Sequence, residues 1–161
     1  MPEWTEQELN KHQDHVVAHV IDASVLGYFQ AEDASHFVLD IGFIWTIYLD
    51  GEMGLVPQSM AIAELDVEDS EKEALADDVR ALYENDAETQ SLVRATHALP
   101  GCRIEAVDFY TSDDGCRIVI RGEEANLTVE TSLTRRALTV EASATTHEGR
   151  RTQEETEGGA R

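Results

Sequence analysis

HFVLDIGFIWTIYLDG, residues 36–51, is the stretch that decides the architecture. Phe37, Leu39, Ile41, Phe43, Trp45, Ile47 and Leu49 alternate without a break, and a period of two belongs to a strand, whose successive side chains point to opposite faces. The other parity carries Val38, Ile44 and Tyr48. A strand that is apolar on both sides needs cover on both, so the spacing predicts a strand from Phe37 to Leu49 covered on two faces near its middle. Asp50-Gly51 suits the positive φ angles of a tight hairpin turn and predicts a returning strand over Met53 to Val56, before Pro57.

C-terminal to this hairpin, Met60 to Leu65 is short and apolar with no decisive period. Ser70-Glu71-Lys72-Glu73 has the spacing of a capping box, and Ala74, Leu75, Val79 and Leu82 recur behind it at helical intervals, which predicts a helix over Glu71 to Glu84. Leu92, Ala95 and Leu99 continue the helical period, predicting a second helix over Ala87 to Ala98 ended by Pro100-Gly101. From Cys102 the period returns to two. Ile104 to Thr111, Cys116 to Arg121, Leu127 to Leu133 and Leu138 to Ala144 read as four strands of an antiparallel β-meander. A two-residue loop at Asp114-Gly115 would set Phe109 opposite Ile120 and Asp108 opposite Arg121. Val107, Phe109, Ile118, Ile120, Leu127, Val129, Leu138 and Val140 then share a buried face, with Arg117, Arg121, Glu130 and Glu141 on the wetter one.

N-terminal to the hairpin, Thr5-Glu6-Gln7-Glu8 is another capping-box pattern and predicts a helix start. Leu9, Val16, Val20, Ala23 and Gly27 share a helical side, but Val17, Ile21, Val25 and Tyr28 fill the others, so residues 16–29 read either as a deeply buried helix or in part as a strand. The expected architecture is a single α+β domain over 1–146: an antiparallel sheet, made of the C-terminal meander and the hydrophobic hairpin, with helices packed on one face. Residues 147–161 are charged, Gly-rich near the end and free of large apolar side chains, which predicts a disordered tail.

Thirty-three Asp and Glu face twelve Lys and Arg across 161 residues, a formal charge of −21, and Lys11 and Lys72 are the only lysines. The acids are dispersed from Glu3 to Glu157, as a surface property is. Like charges at this density repel across a small globule until salt screens them, and the Debye length falls to about 3 Å at 1 M. Few lysines, arginine as the preferred cation and abundant Asp, Glu, Thr and Ala resemble the cytosolic proteins of extreme halophiles, in composition over the whole chain and without pointing to any family. The composition argues against nucleic acid as a partner, since duplex binding needs clustered cations and the adjacent pairs here are only Arg135-Arg136 and Arg150-Arg151. No apolar run reaches the roughly 18 residues of a membrane span. An acidic start without an apolar signal segment, together with Cys102 and Cys116 outside any C-x-x-C spacing, predicts a cytoplasmic protein with two reduced thiols.

His12, His15, His19 and Asp22 stand at steps of three, four and three, so a helix would gather them on one narrow stripe. Three imidazoles and a carboxylate suit Zn2+ or another divalent transition metal such as nickel or iron(II). The same spacing equally suits half-exposed histidines bordering an apolar stripe. His97 and Cys102 flank Pro100-Gly101 and would make a thiolate–imidazole pair only if that turn folded them together. Asp50-Gly51-Glu52 and Asp113-Asp114-Gly115 lack the ligand spacing of a calcium loop and read as turns. Asn126-Leu127-Thr128 is a glycosylation pattern without meaning inside the cell. Phosphate loops, nucleophile elbows and H-E-x-x-H are absent. The sequence therefore names no reaction. It favours a non-catalytic binding or self-associating module, homodimeric or taking a protein partner or a small apolar ligand, because the two-faced strand needs a cover. The alternative is a metal-dependent enzyme on the histidine stripe.

Overall fold

The computed structural model describes residues 4–31, 33–84, 92–98 and 101–144. Among these, ten strands and three helices follow in the order β1 (Thr5–Gln7), α1 (Lys11–Val20), β2 (Val25–Ala31), β3 (Ala34–Leu39), β4 (Phe43–Tyr48), β5 (Met53–Pro57), α2 (Gln58–Ala63), α3 (Asp69–Glu84), β6 (Thr96–His97), β7 (Ile104–Thr111), β8 (Cys116–Gly122), β9 (Ala125–Ser132) and β10 (Ala137–Ala144). The strands form two antiparallel sheets of five, ordered β1-β7-β8-β9-β10 and β5-β4-β3-β2-β6. The fold is thus mixed α+β, with the meander in one sheet and the hydrophobic hairpin in the other.

The stretch expected to be one strand is two. Asp40, Ile41 and Gly42 form a turn in which Gly42 takes φ +85° and Ile41, which kept the alternation going, is left 47% exposed. Phe37 then lies opposite Trp45 and Val38 opposite Ile44. The two apolar parities have separate covers. Phe37, Leu39, Trp45 and Ile47 join Ile104, Ile118, Ile120, Leu127 and Val129 of the first sheet in one core. Val38 and Ile44, with Phe29, pack against Ile62 and Leu65 at α2 and Leu75, Val79 and Leu82 of α3. At about 25 cal/mol per Å2 of apolar area removed from water, these two cores are the principal source of stability.

Three further features depart from expectation, and one open reading is decided. Thr5–Gln7 does not open a helix but pairs with Phe109 to Thr111 at the sheet edge. The helix begins at Lys11, because Asn10 caps it: its side chain accepts from the Gln13 N–H at 2.7 Å, and the Gln13 side chain accepts from the Asn10 N–H at 2.9 Å. Asparagine outranks threonine as a cap, and Gln13 gains a third tie by donating to the Gly51 carbonyl at 2.7 Å. Val25–Ala31 is strand, so only the first part of the ambiguous segment is helical. Leu92 to Ala98 is not helix: Thr96–His97 pairs with β2, while 87–91 lie outside the described residues. The β7–β8 register is shifted by two, with Phe109 opposite Ile118 and Thr111 opposite Cys116 across a longer loop. A shift of two preserves which side chains face inward, and Arg121 still reaches Asp108 at 3.0 Å, now along the diagonal. The expected tail, 147–161, also lies outside the described residues.

The sheets meet along a seam. The Val25 N–H donates to the Cys102 carbonyl at 3.0 Å, Ile104 N–H to Ala23 at 2.8 Å and Asp22 N–H to Ile104 at 2.8 Å. The chain that lines β2 as β6 thus returns to it at 102–104, then runs on into the other sheet as β7.

Candidate functional site

A groove of about 800 Å3 opens between α2, α3 and the β3–β4 turn. Its room comes from small side chains. Gly42, Ser59, Ala63 and Ala76 contribute little bulk to its lining, and Ile62, 6% exposed, supplies apolar floor. Three contacts hold the walls. The Gln58 N–H donates to the Gly42 carbonyl at 3.1 Å, seating the start of α2 on the turn. Lys72 Nζ donates to the Ala63 carbonyl at 2.8 Å, placing a cation at the C-terminal end of α2, where the helix dipole favours it. The Tyr83 hydroxyl donates to the Leu39 carbonyl at 2.6 Å and clamps the last turn of α3 to β3.

The electrostatics of the groove differ from those of the rest of the surface. Lys72 and Arg80 are matched by Glu73 and Glu84, so its lining is formally neutral in a chain of charge −21. Burial, followed by the nearby Asp40 charge, raises the Tyr83 phenol above its ordinary value, and the group stays a neutral hydrogen-bond donor. Histidine and cysteine do not occur among the described lining residues. The walls can therefore enclose and desolvate an apolar body.

The histidine stripe is split up. His15 and His19 are exposed, with ring centroids 4.8 Å apart and nearly perpendicular. His12 Nε2 is instead engaged with the Met53 carbonyl at 2.9 Å. Asp22 lies past the helix end at φ +75°, with Arg103 at 3.4 Å from its carboxylate. Among the described residues no group of three or more His, Cys, Asp or Glu side chains is placed to hold a metal.

The remaining sequence candidates have structural tasks. Cys102 is buried, which pushes its thiol up to about 11, whereas His97 is exposed on β6. Cys116 is likewise raised by burial, against a hydrogen bond with Thr131 that lowers it. Asp114 anchors one turn to another. Its carboxylate accepts from Ser132 Oγ and from the Thr134 N–H at 2.8 Å, and these bonds, Ser132 first, hold it down at about 2. Asp50 accepts from the Glu52 N–H at 3.0 Å, in a turn where Gly51 takes φ +89°. Asn126 lies within β9 and accepts from the Gly122 N–H at 3.1 Å.

Sequence reasoning missed the groove because α2 falls in the segment without a period. Its one signal was Lys72, a rare lysine just past that segment. Asp78 was missed as well: 3% exposed, it accepts from the N–H groups of Val93 at 3.0 Å, Arg94 at 2.6 Å and Ala95 at 2.8 Å, fixing the chain that leads into β6. No helix among the described residues is long and apolar enough to cross a membrane. Comparisons with protein-family models, curated proteins and solved structures give no match.

Proposed function

We propose that the chain is a salt-adapted, non-catalytic binding module whose α2–α3 groove takes a small, uncharged apolar ligand. The observation that supports this most is the pairing of size with charge: about 800 Å3, within the range of small-molecule sites, lined by two cations and two anions that cancel. An anionic ligand would be repelled by the surrounding −21 charge, and a cation would gain nothing from a balanced rim. The second face of the hairpin, which suggested an external partner, is covered by α2 and α3 of the same chain, so the groove replaces that face as the binding surface.

Nile red, neutral and apolar, is a suitable probe in concentrated KCl. Saturable binding of one dye per chain is expected, and Ala76→Trp, which fills the groove from α3, should weaken it at least about tenfold because the cavity volume is lost. Thr128→Trp, on the outer face of β9, should leave binding unchanged. Equal dye affinity in wild type and Ala76→Trp would refute the reading. A second reading, a metal-dependent enzyme on His12, His15, His19 and Asp22, draws on the close approach of the His15 and His19 rings.

A further inference from the structure

β10 is the last strand of its sheet, eight residues long, and Glu141 is its only charged residue. Sheet edges in soluble proteins are ordinarily guarded by charges, proline or covering segments, since their unpaired N–H and C=O groups recruit other strands. The geometry shows which groups are unpaired. A Cβ on Gly115 would collide with the Thr131 carbonyl, and the Leu133 N–H, two residues on and of the same parity, donates to the Asp114 carbonyl at 2.7 Å, so the Thr131 backbone groups point toward β8 and away from β10. Leu138, opposite Thr131, is then in a non-hydrogen-bonded pair with it, and its own N–H and C=O point outward. Consistently, Gln30 Nε2 donates to the Leu138 carbonyl from outside the sheet at 3.1 Å. By alternation Val140, Ala142 and Ala144 also aim their backbone groups outward. Gln30 and the Asp33–Arg136 ion pair guard the beginning of the strand, while Glu141 to Ala144 are all exposed.

We infer that the open part of β10 pairs antiparallel with β10 of a second copy, about a two-fold axis at Ala142, joining the two meanders into one continuous sheet. Register selects this axis. An axis at Glu141 would set that carboxylate against its own copy in a close non-hydrogen-bonded pair, where like charges destabilise. An axis at Val140 would need the Leu138 carbonyl, already bonded by Gln30, and would run into the Asp33–Arg136 pair. With the axis at Ala142, Val140 faces Ala144 of the second copy and Glu141 faces Ser143 of the second copy. The low charge of this edge, in a chain of −21, is what permits two such molecules to approach once salt screens the rest. This inference is independent of the groove, and it gives self-association a surface other than the two-faced hairpin.

Residues facing each other in a hydrogen-bonded antiparallel pair have Cα atoms about 5.5 Å apart, inside the range a disulfide spans. Under mild diamide oxidation in concentrated KCl, Ala142→Cys should give a disulfide-linked dimer, and Thr139→Cys, off the axis, should not. Cys102 and Cys116 are buried and leave the background low. Ala142→Pro removes an outward N–H without touching the β9 ladder, and should give a monomer with native circular dichroism. Light scattering that finds wild type strictly monomeric at high micromolar concentration would overturn the inference. Equal cross-linking of Ala142→Cys and Thr139→Cys would overturn it too, and remains decisive even if the proline variant fails to fold.

Discussion

Replacing Asp78 with alanine should destabilise the protein by about 3 to 5 kcal/mol, since hydrogen bonds to a charged group contribute roughly 1.5–3 kcal/mol each and their loss leaves part-buried donors without this partner. Three N–H groups, of Val93, Arg94 and Ala95, converge on a carboxylate that is 3% exposed, and alanine offers them nothing. Taking the lower figure for each bond, because the donors are only part-buried, gives the bulk of that range. Asp78→Asn keeps one acceptor oxygen but turns an amide N–H₂ toward the same donors, so its cost should be smaller, about 1 to 3 kcal/mol. Urea denaturation in concentrated KCl measures both. Hydrogen exchange adds the location, because the amides of residues 93–95 should lose protection first in Asp78→Ala, before those of β7 to β10. An Asp78→Ala variant within about 0.5 kcal/mol of wild type, the scale of an ordinary surface substitution, would refute the assignment of Asp78 as the anchor of this segment.

The melting temperature should climb steeply between about 0.1 and about 3 M KCl as repulsion is screened, and a flat profile by circular dichroism would remove the salt-adapted reading. Zinc in excess above about pH 7, where imidazole is mostly neutral, should leave melting unchanged, because among the described residues of the stripe only His15 and His19 come together. A stoichiometric zinc-induced rise that His15→Ala with His19→Ala abolishes would instead support the metal enzyme. Asp114, held down at about 2, stabilises the fold fully above its unfolded value of about 3.9, and this is lost as pH falls through about 2. Asp114→Asn should therefore melt below wild type at neutral pH, and the gap should close between about pH 4 and pH 2; a gap constant over that interval would contradict the Ser132 and Thr134 contacts.

Period two made the meander legible in the sequence, down to the ends of Ile104–Thr111, because one face of that sheet is wet and the alternation is clean. The register was not, since it turns on Asp114. The dipeptide with Gly115 suggested a two-residue loop, but the Asp114 carboxylate is drawn to Ser132 and Thr134 across the sheet, contacts that sequence spacing does not announce. Alternation misled at Ile41, an exposed apolar residue in a turn that happened to keep parity. The N-terminal cap went to Asn10 rather than Thr5 because Gln13 could bond both Asn10 and Gly51, and the second of these partners is 38 residues away. The groove was illegible for the same reason. Lys72 stood out as a rare cation, but its partner, the Ala63 carbonyl, and the small residues that leave the space belong to elements brought together only by folding.

The seam between Ala23–Val25 and Cys102–Ile104 also limits how the molecule can deform. Two stacked sheets joined only through side chains could slide past each other, but here a shared backbone ladder ties one border of each to the other. Any motion that widens the space between them has to swing about that border like a book about its spine, and has to part the Gln30 side chain from the Leu138 carbonyl. The two sheets also bury one apolar core between them, so neither should persist as a folded half when the other is lost.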